Sequence, residues 1–103
     1  MKSMKGDDKM IAATDIMKDI ETQIYLNRYH KLTYELNEGE LVISVIYEGN
    51  EETFLEIEWL DRNGNTVISR TVDYDDVEAT ELAVYHVVNS YDYYISFGII
   101  VRE

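Results

Sequence analysis

Between Lys31 and Asp73 the chain alternates apolar with polar residues, and three short turn sequences interrupt this alternation. A period of two puts successive side chains on opposite faces of a strand, so the pattern predicts strands with one apolar and one polar face. The interruptions are Asn37-Glu38-Gly39, Glu48-Gly49-Asn50-Glu51 and Arg62-Asn63-Gly64-Asn65, the last with the Asn-Gly pair that type I′ turns favour. The stretch is therefore expected to form a four-stranded antiparallel meander.

One face of such a sheet has to stay apolar across every turn, and this requirement fixes how the strands pair. Loops at Glu38-Gly39, Gly49 to Glu51 and Asn63-Gly64 satisfy it and place Leu36 opposite Leu41. The predicted inner face consists of Leu32, Tyr34, Leu36, Leu41, Ile43, Val45, Leu55, Ile57, Trp59, Ile68, Arg70 and Val72. Arg70 is the exception, and we expect it to extend past the core or to meet an acid from a helix.

The opposite, outer face of the predicted sheet carries acids. Glu56 and Glu58 lie in the middle of the third strand, about 6.7 Å apart along it. That spacing is comparable to neighbouring phosphates on a nucleic-acid strand once the helical path is allowed for. Apolar neighbours such as Phe54 supply contact area beside the carboxylates.

Helices are predicted on both sides of the meander. Apolar residues at helical spacing from Met10 onward predict an amphipathic helix that ends near Tyr29 and covers the inner face. Residues 76–90 predict a second helix with Asp75 or Asp76 as its cap, although the same residues also alternate, which leaves a strand as the alternative.

The two ends of the chain complete the predicted organisation. Residues 1–9 are polar without periodicity and are interpreted as a flexible leader, and residues 10–103 as a single α+β domain. A fifth strand is predicted from the alternation of Tyr93, Ile95, Phe97, Ile99 and Val101. The expected fold is thus an N-terminal helix packed on a four-stranded meander, then a second helix and a fifth strand.

The acidic charge is concentrated on one part of the chain. The net charge is −12; residues 35–103 hold sixteen acids against three basic residues, whereas residues 1–34 hold five acids against six. Such a surface repels polyanions over a Debye length of about 8 Å, which argues against direct binding of nucleic acid or an anionic membrane. A basic groove on another protein is the natural partner, and solubility alone is the alternative explanation.

Composition narrows the functional classes further. There is no cysteine, no secretory leader pattern and no run of about 18 apolar residues, so we expect a soluble, intracellular protein. Phosphate-loop, dinucleotide and serine-nucleophile motifs are missing, and His30 and His86 stand alone, so no cofactor is expected. Glu56 and Glu58 on an open strand face lack the pocket that acid–base catalysis needs, which disfavours an enzyme.

Two acidic groups imitate metal sites. Asp61, Asn63 and Asn65 match the opening of a calcium loop, but Thr66 and Val72 occupy the positions that require glycine and glutamate, so a hairpin is preferred. The aspartates after the fourth strand are explained by helix capping, and no metal site is predicted.

A small, cysteine-free, strongly acidic α+β chain without a catalytic motif resembles the inhibitors encoded by phages and other mobile elements, in particular type II anti-CRISPR proteins. The resemblance rests on size, charge and the acidic residues Glu35, Glu40, Glu48, Glu51, Glu52, Glu56, Glu58, Asp73, Asp75 and Asp76. Several members of that group occupy basic nucleic-acid channels of a Cas effector. The resemblance therefore implies a non-enzymatic inhibitor in the cytoplasm of a bacterial host cell. It would bind a basic groove of a Cas effector such as Cas9 and block guide RNA or DNA binding.

The predicted partner-binding residues are acids and the aromatic residues beside them. They are Glu35, Glu40, Glu48, Glu52, Phe54, Glu56, Glu58, Asp73, Tyr74, Asp75 and Asp76. An alternative hypothesis is a protein-binding module unrelated to nucleic-acid mimicry, such as an immunity protein, an antitoxin or a small subunit that dimerises through a strand edge. The oligomeric state, monomer or dimer, stays open between these hypotheses.

Overall fold

A computed structural model describes residues 12–97 of the chain. The elements in chain order are helix α1 (Ala13–Asp19), a π-helical turn (Ile20–Ile24), strands β1 (Lys31–Leu36), β2 (Gly39–Glu48), β3 (Glu51–Leu60) and β4 (Thr66–Asp73), and helix α2 (Val77–Phe97). The leader predicted for residues 1–9 lies outside the described residues.

The four strands form one antiparallel sheet in the order β1-β2-β3-β4, which confirms the predicted α+β class and meander. The predicted inner face is apolar and carries the core, because alternate residues of β2 and β3 meet apolar residues from both helices. Fully buried members include Ile16 and Ile20 from the first helical segment, Ile43 and Ile57 from the sheet, and Val84 from α2.

The predicted pairing of β1 with β2 is wrong by two residues. Tyr34 lies opposite Leu41, and Leu36 lies opposite Gly39, so the turn consists of residues 37 and 38. A slip of two keeps every side chain on its predicted face, which is why the apolar pattern does not reveal it. Gly39 is a strand residue with φ +113°, and a Cβ there would overlap the carbonyl oxygen of Leu60.

The β1–β2 turn is held by contacts from three directions. The Trp59 indole N–H donates to the Glu38 carbonyl at 2.9 Å, and the Glu38 N–H donates to the Tyr91 hydroxyl at 2.9 Å. Arg62 donates through Nη2 to the Asn37 carbonyl at 2.9 Å and forms an ion pair with Glu38 at 3.4 Å. These bonds satisfy backbone groups of a turn that the sheet itself leaves unpaired.

The central pairings of β2, β3 and β4 follow the prediction, but their turns do not. Leu41 faces Trp59, and Trp59 faces Ile68, as expected. The β2–β3 loop is only Gly49 and Asn50, because a bulge between Phe54 and Glu52 absorbs the extra residue.

The β3–β4 connection is the predicted hairpin, though with a longer loop. The Asp61 carboxylate accepts the N–H groups of Asn63 and Asn65 at 2.9 Å each, and the Asp61 N–H donates to the Asn65 carbonyl at 2.8 Å. A register shift beside Leu60 compensates for the additional loop residue.

Both helices differ in length from the prediction. The first helical segment ends at Ile24, well before Tyr29, and Asn27 adopts a positive φ of 61° just after it. α2 begins after Asp76, whose carboxylate accepts the Ala79 N–H at 3.0 Å, so one of the two predicted caps is confirmed and the strand alternative is wrong.

α2 also continues through the residues predicted to start a fifth strand. Residues 93–97 are helical, so that prediction is wrong there, and its remaining positions lie outside the described residues. The competing interaction is helical: Tyr91 and Tyr94, three residues apart, both pack edge-on against Trp59, with ring centroids 5.0 and 5.1 Å away. None of the helices described has the length and hydropathy to cross a bilayer.

Arg70, the exception on the inner face, meets a histidine of α2 and not an acid. Its Nη2 lies 2.6 Å from Nε2 of His86, and its Nη1 donates to the Ser69 carbonyl at 2.9 Å. The guanidinium therefore bridges β4 and α2 at the exposed margin of the core.

Candidate functional site: the acidic face of the sheet

The outer face of the sheet carries most of the predicted partner-binding residues. Cross-strand neighbours on this face form four rows. One row runs from β1 to β3 and consists of Glu35, Glu40 and Leu60. Two rows run from β1 to β4, namely Thr33, Val42, Glu58 and Ser69, then Lys31, Ser44, Glu56 and Thr71; the last runs from β2 to β4 and consists of Ile46, Phe54 and Asp73. Both helices pack on the other side, so among the described residues no helix or strand covers this surface. We call it the acidic face, after Glu35, Glu40, Glu56, Glu58 and Asp73.

Glu56 and Glu58 form the centre of the acidic face. They point outward because Leu55, Ile57 and Trp59, which alternate with them, are buried in the core. Both carboxylates are partly buried, unlike the exposed acids near the sheet margins. The Ser69 hydroxyl makes a long contact of 3.5 Å with Oε2 of Glu56.

The Glu58 carboxyl is in an unfavourable electrostatic environment. Partial burial, followed by the charge of Glu56 and a hydrogen bond with it, raises the pKa of Glu58, and Lys31 opposes the rise only in part. The ionised pair thus lacks sufficient positive charge nearby. A cation from another molecule placed between the two carboxylates would relieve the repulsion.

Among the residues of the four described strands, Lys31 is the only basic one that the register places on the acidic face. It lies in the same cross-strand row as Glu56, with Ser44 between them. The register predicted from the sequence placed β1 two residues away and put Lys31 beside Ile46, so it did not reveal this neighbourhood. Arg70, the other basic residue of the four strands, lies on the inner face.

Apolar side chains lie between the acids of this face. Val42 is only 7% exposed although it lies on the outer side of the sheet. Phe54, Ile46 and Leu60 are partly exposed. A partner that paired with the carboxylates would also bury apolar area, as the centres of protein interfaces do.

Three of the predicted binding residues do not belong to the acidic face. Tyr74 packs against the core: its ring meets Tyr25 edge-on at 5.3 Å, and its hydroxyl donates to the Ile24 carbonyl at 3.3 Å. The bulge in β3 pairs Glu52 with Tyr47 on the inner side, where its charge helps to raise the pKa of Tyr74, after burial as the main cause. Asp76 is engaged as the α2 cap.

The remaining predicted residues are exposed at the margins. Glu48 ends β2 beside the Gly49-Asn50 turn, and Asp75 lies in the loop before α2. The described residues contain no group of histidine, aspartate or glutamate side chains arranged to hold a metal ion.

Replacing Glu58 by glutamine should stabilise the free protein at neutral pH. Because folding raises the pKa of Glu58, this carboxyl stabilises the fold at pH values below the ordinary glutamate pKa. That stabilisation is lost as the pH rises through the pKa of Glu58 in the folded protein. At pH 7 the ionised carboxyl therefore lowers the free energy of unfolding, and we expect Glu58→Gln to raise it by about 0.2 to 1 kcal/mol, the range for side-chain pairs in sheets.

Urea unfolding at pH 7 and pH 4 measures this effect. The gain should shrink at pH 4, where the wild-type carboxyl is largely protonated. Glu81→Gln, on the exposed side of α2, changes the net charge equally and is the control. A gain of the same size in the control would show that net charge, and not the Glu56–Glu58 pair, is responsible.

Comparison of the chain with protein-family models, with curated proteins and with solved structures gives no match. We therefore infer function from the geometry and charge of the acidic face.

Proposed function

We propose that the protein is a non-enzymatic inhibitor whose acidic face binds the basic nucleic-acid-binding groove of a partner protein. The observation that carries the proposal is the Glu56–Glu58 pair, which lies partly buried on a sheet face that no described helix or strand covers. The pKa of Glu58 is raised, and among the described residues Lys31 is the cation that opposes this rise. A guanidinium or ammonium group of the partner would replace water around this pair and remove its repulsion.

The mechanism is competition with phosphate. Arginine and lysine side chains that hold phosphates in the partner would bind the carboxylates instead, at a spacing similar to that of a nucleic-acid backbone. Phe54 and Ile46, which are partly exposed, would be buried in the contact and would fix its position, while the net charge of −12 would accelerate association. The inhibitor would then keep guide RNA or DNA from a Cas effector such as Cas9.

A protein-binding module without nucleic-acid mimicry is the second candidate. The apolar residues of the acidic face favour it as much as the first, because they suit any protein partner. The two candidates differ in one respect: a mimic and the nucleic acid exclude each other on the partner, whereas an unrelated module need not compete.

Competition on purified guide-free Cas9 tests the proposal. Fluorescently labelled protein is titrated with Cas9, and guide RNA is then added to the complex. The proposal predicts binding that weakens as salt increases and that guide RNA displaces. Binding that persists at saturating guide RNA would contradict mimicry on this partner, and no binding at low salt would remove Cas9 as the target.

A further inference from the structure

Strand β4 forms one edge of the sheet, and most of its length carries no acidic residue. Its residues 66–72 include one arginine and no acid, although the chain has a net charge of −12. The opposite edge strand, β1, carries Lys31 and Glu35, and charged side chains of this kind protect an edge from pairing with another strand. The β4 edge has no comparable protection among its central residues.

The hydrogen bonds of the sheet show which β4 groups face this edge. The Tyr74 N–H donates to the Thr53 carbonyl at 3.0 Å, so this residue pair belongs to the bonded set of the β3–β4 ladder. Bonded and non-bonded pairs alternate in antiparallel sheets, so Ser69 and Thr71 direct their backbone N–H and C=O groups away from β3. The Val45 N–H bond to the His30 carbonyl, at 2.9 Å, places Thr33 in the same way on the β1 edge.

A groove runs beside β4 on the inner side of the sheet. It has a volume of about 430 Å³ and lies between β4 and α2, with Trp59, Val67, Ile68, His86 and Asn89 among its lining residues. None of the described residues that line it is acidic. Leu82, one helical turn before His86 on α2, is 72% exposed, so apolar surface continues along the helix.

We propose that two copies of the chain associate through this edge, by antiparallel pairing of their β4 strands around a two-fold axis. If the axis passes through Ser69, Arg70 pairs with Ile68 of the other copy. If it passes through Thr71, Arg70 pairs with Val72. In both arrangements the two arginines do not face each other. Each α2 then lies next to the other copy's groove and covers part of it. The pairing would thus give hydrogen-bond partners to the backbone groups at the β4 edge and would also bury apolar surface of the groove.

The charge distribution selects a second copy for this edge. Two molecules with a net charge of −12 repel each other wherever acids meet acids, whereas residues 66–72 of the β4 edge and the described residues that line its groove include no acid in either copy. The product is a continuous eight-stranded sheet. Both acidic faces lie on the same side of it, since paired strands keep inner residues beside inner residues.

Sedimentation velocity from about 1 µM to about 1 mM protein tests the proposal directly. The full chain should dimerise, and Ser69→Pro should weaken the dimer at least tenfold, because proline removes an edge donor without removing a bond to β3. Thr33→Pro makes the matched change on the β1 edge and should leave the dimer intact. Asn89→Glu, which puts an acid into the groove, should also weaken it tenfold or more, while Asn50→Glu in the β2–β3 turn should not.

The groove variant keeps the test decisive if proline disturbs folding, because Asn89 is exposed and tolerates a larger side chain. A monomer throughout the concentration range would overturn the proposal, as would a dimer that Asn89→Glu leaves unchanged. Salt separates this inference from the proposed function: screening should strengthen association of two acidic copies and weaken binding to a basic partner. The dimer test needs no partner, so either proposal can fail alone.

Discussion

Reversing two charges, by Glu56→Lys together with Glu58→Lys, is expected to weaken binding to the basic partner at least 100-fold. Each substitution removes a carboxylate from the centre of the acidic face and places a like charge against the partner's cations. Loss of one member of a buried, hydrogen-bonded charge pair costs about 2 to 5 kcal/mol, and two such losses exceed the factor of 100. Titration of labelled protein with guide-free Cas9 at constant salt measures the change.

A control variant with the same change in net charge distinguishes the effect of the acidic face from the effect of the protein's total charge. Glu81→Lys with Asp92→Lys places both new lysines on exposed positions of α2, on the other side of the sheet. This variant should slow association but lose less than tenfold in affinity, because long-range steering affects the on-rate most. Equal losses in both variants would mean that the acids act through total charge and that the acidic face has no special role.

Replacing Gly39 by alanine should destabilise the fold more than any other single change at a turn. The backbone there has φ +113°, and an added Cβ would overlap the carbonyl oxygen of Leu60, a backbone atom that cannot move aside without disturbing the β3–β4 turn. Strain and overlap together should cost at least about 3 kcal/mol, a large part of the 5 to 15 kcal/mol typical of a domain.

Gly49→Ala is the matched control for this prediction. Gly49 also has a positive φ, of 66°, but an added Cβ would meet no atom within 4 Å. Only the left-handed conformation then contributes, at about 1 to 2 kcal/mol. Chemical unfolding of the two variants compares them, and an equal loss would show that Gly39 is not in close contact with β3.

The meander was predictable because apolar rows constrain strand pairing tightly. Leu41, Trp59 and Ile68 have to meet on one face, and any odd slip would expose them. The pairing of β1 was not predictable in this way, since a slip of two residues leaves the faces unchanged. The pairing of β1 is decided by long-range contacts. Gly39 lies close to Leu60, the Trp59 N–H donates to the Glu38 carbonyl, and the Tyr91 hydroxyl accepts the Glu38 N–H.

The end of α2 shows a different limit. Tyr93, Ile95 and Phe97 alternate as a strand would, but Tyr91 and Tyr94 gain a shared aromatic partner in Trp59 when the segment is helical. Local periodicity gives no information on a partner about 30 residues earlier in the chain. Tertiary packing therefore overrides the strand pattern.

The acidic face was predictable wherever strict alternation along a strand decides which side chains point outward. Glu56 and Glu58 alternate with buried residues, so their outward direction follows from the core. The predictions for Glu52 and Tyr74 were wrong because the alternation is interrupted, by a bulge at Glu52 and by the end of β4 before Tyr74. The proximity of Lys31 to Glu56 required the correct register of β1, and the groove beside β4 required the correct length of α2.

An NMR titration with a deca-arginine peptide tests most directly whether the acidic face binds cations selectively. If it does, amide shifts should change first at Phe54, Glu56, Glu58 and Ser69, and the raised pKa of Glu58 should fall when the peptide is bound, as partner cations stabilise the carboxylate. Shift changes spread equally over the acids of α2 and the loop residues Asp75 and Asp76, with the Glu58 pKa unaltered, would contradict selective cation binding by the acidic face.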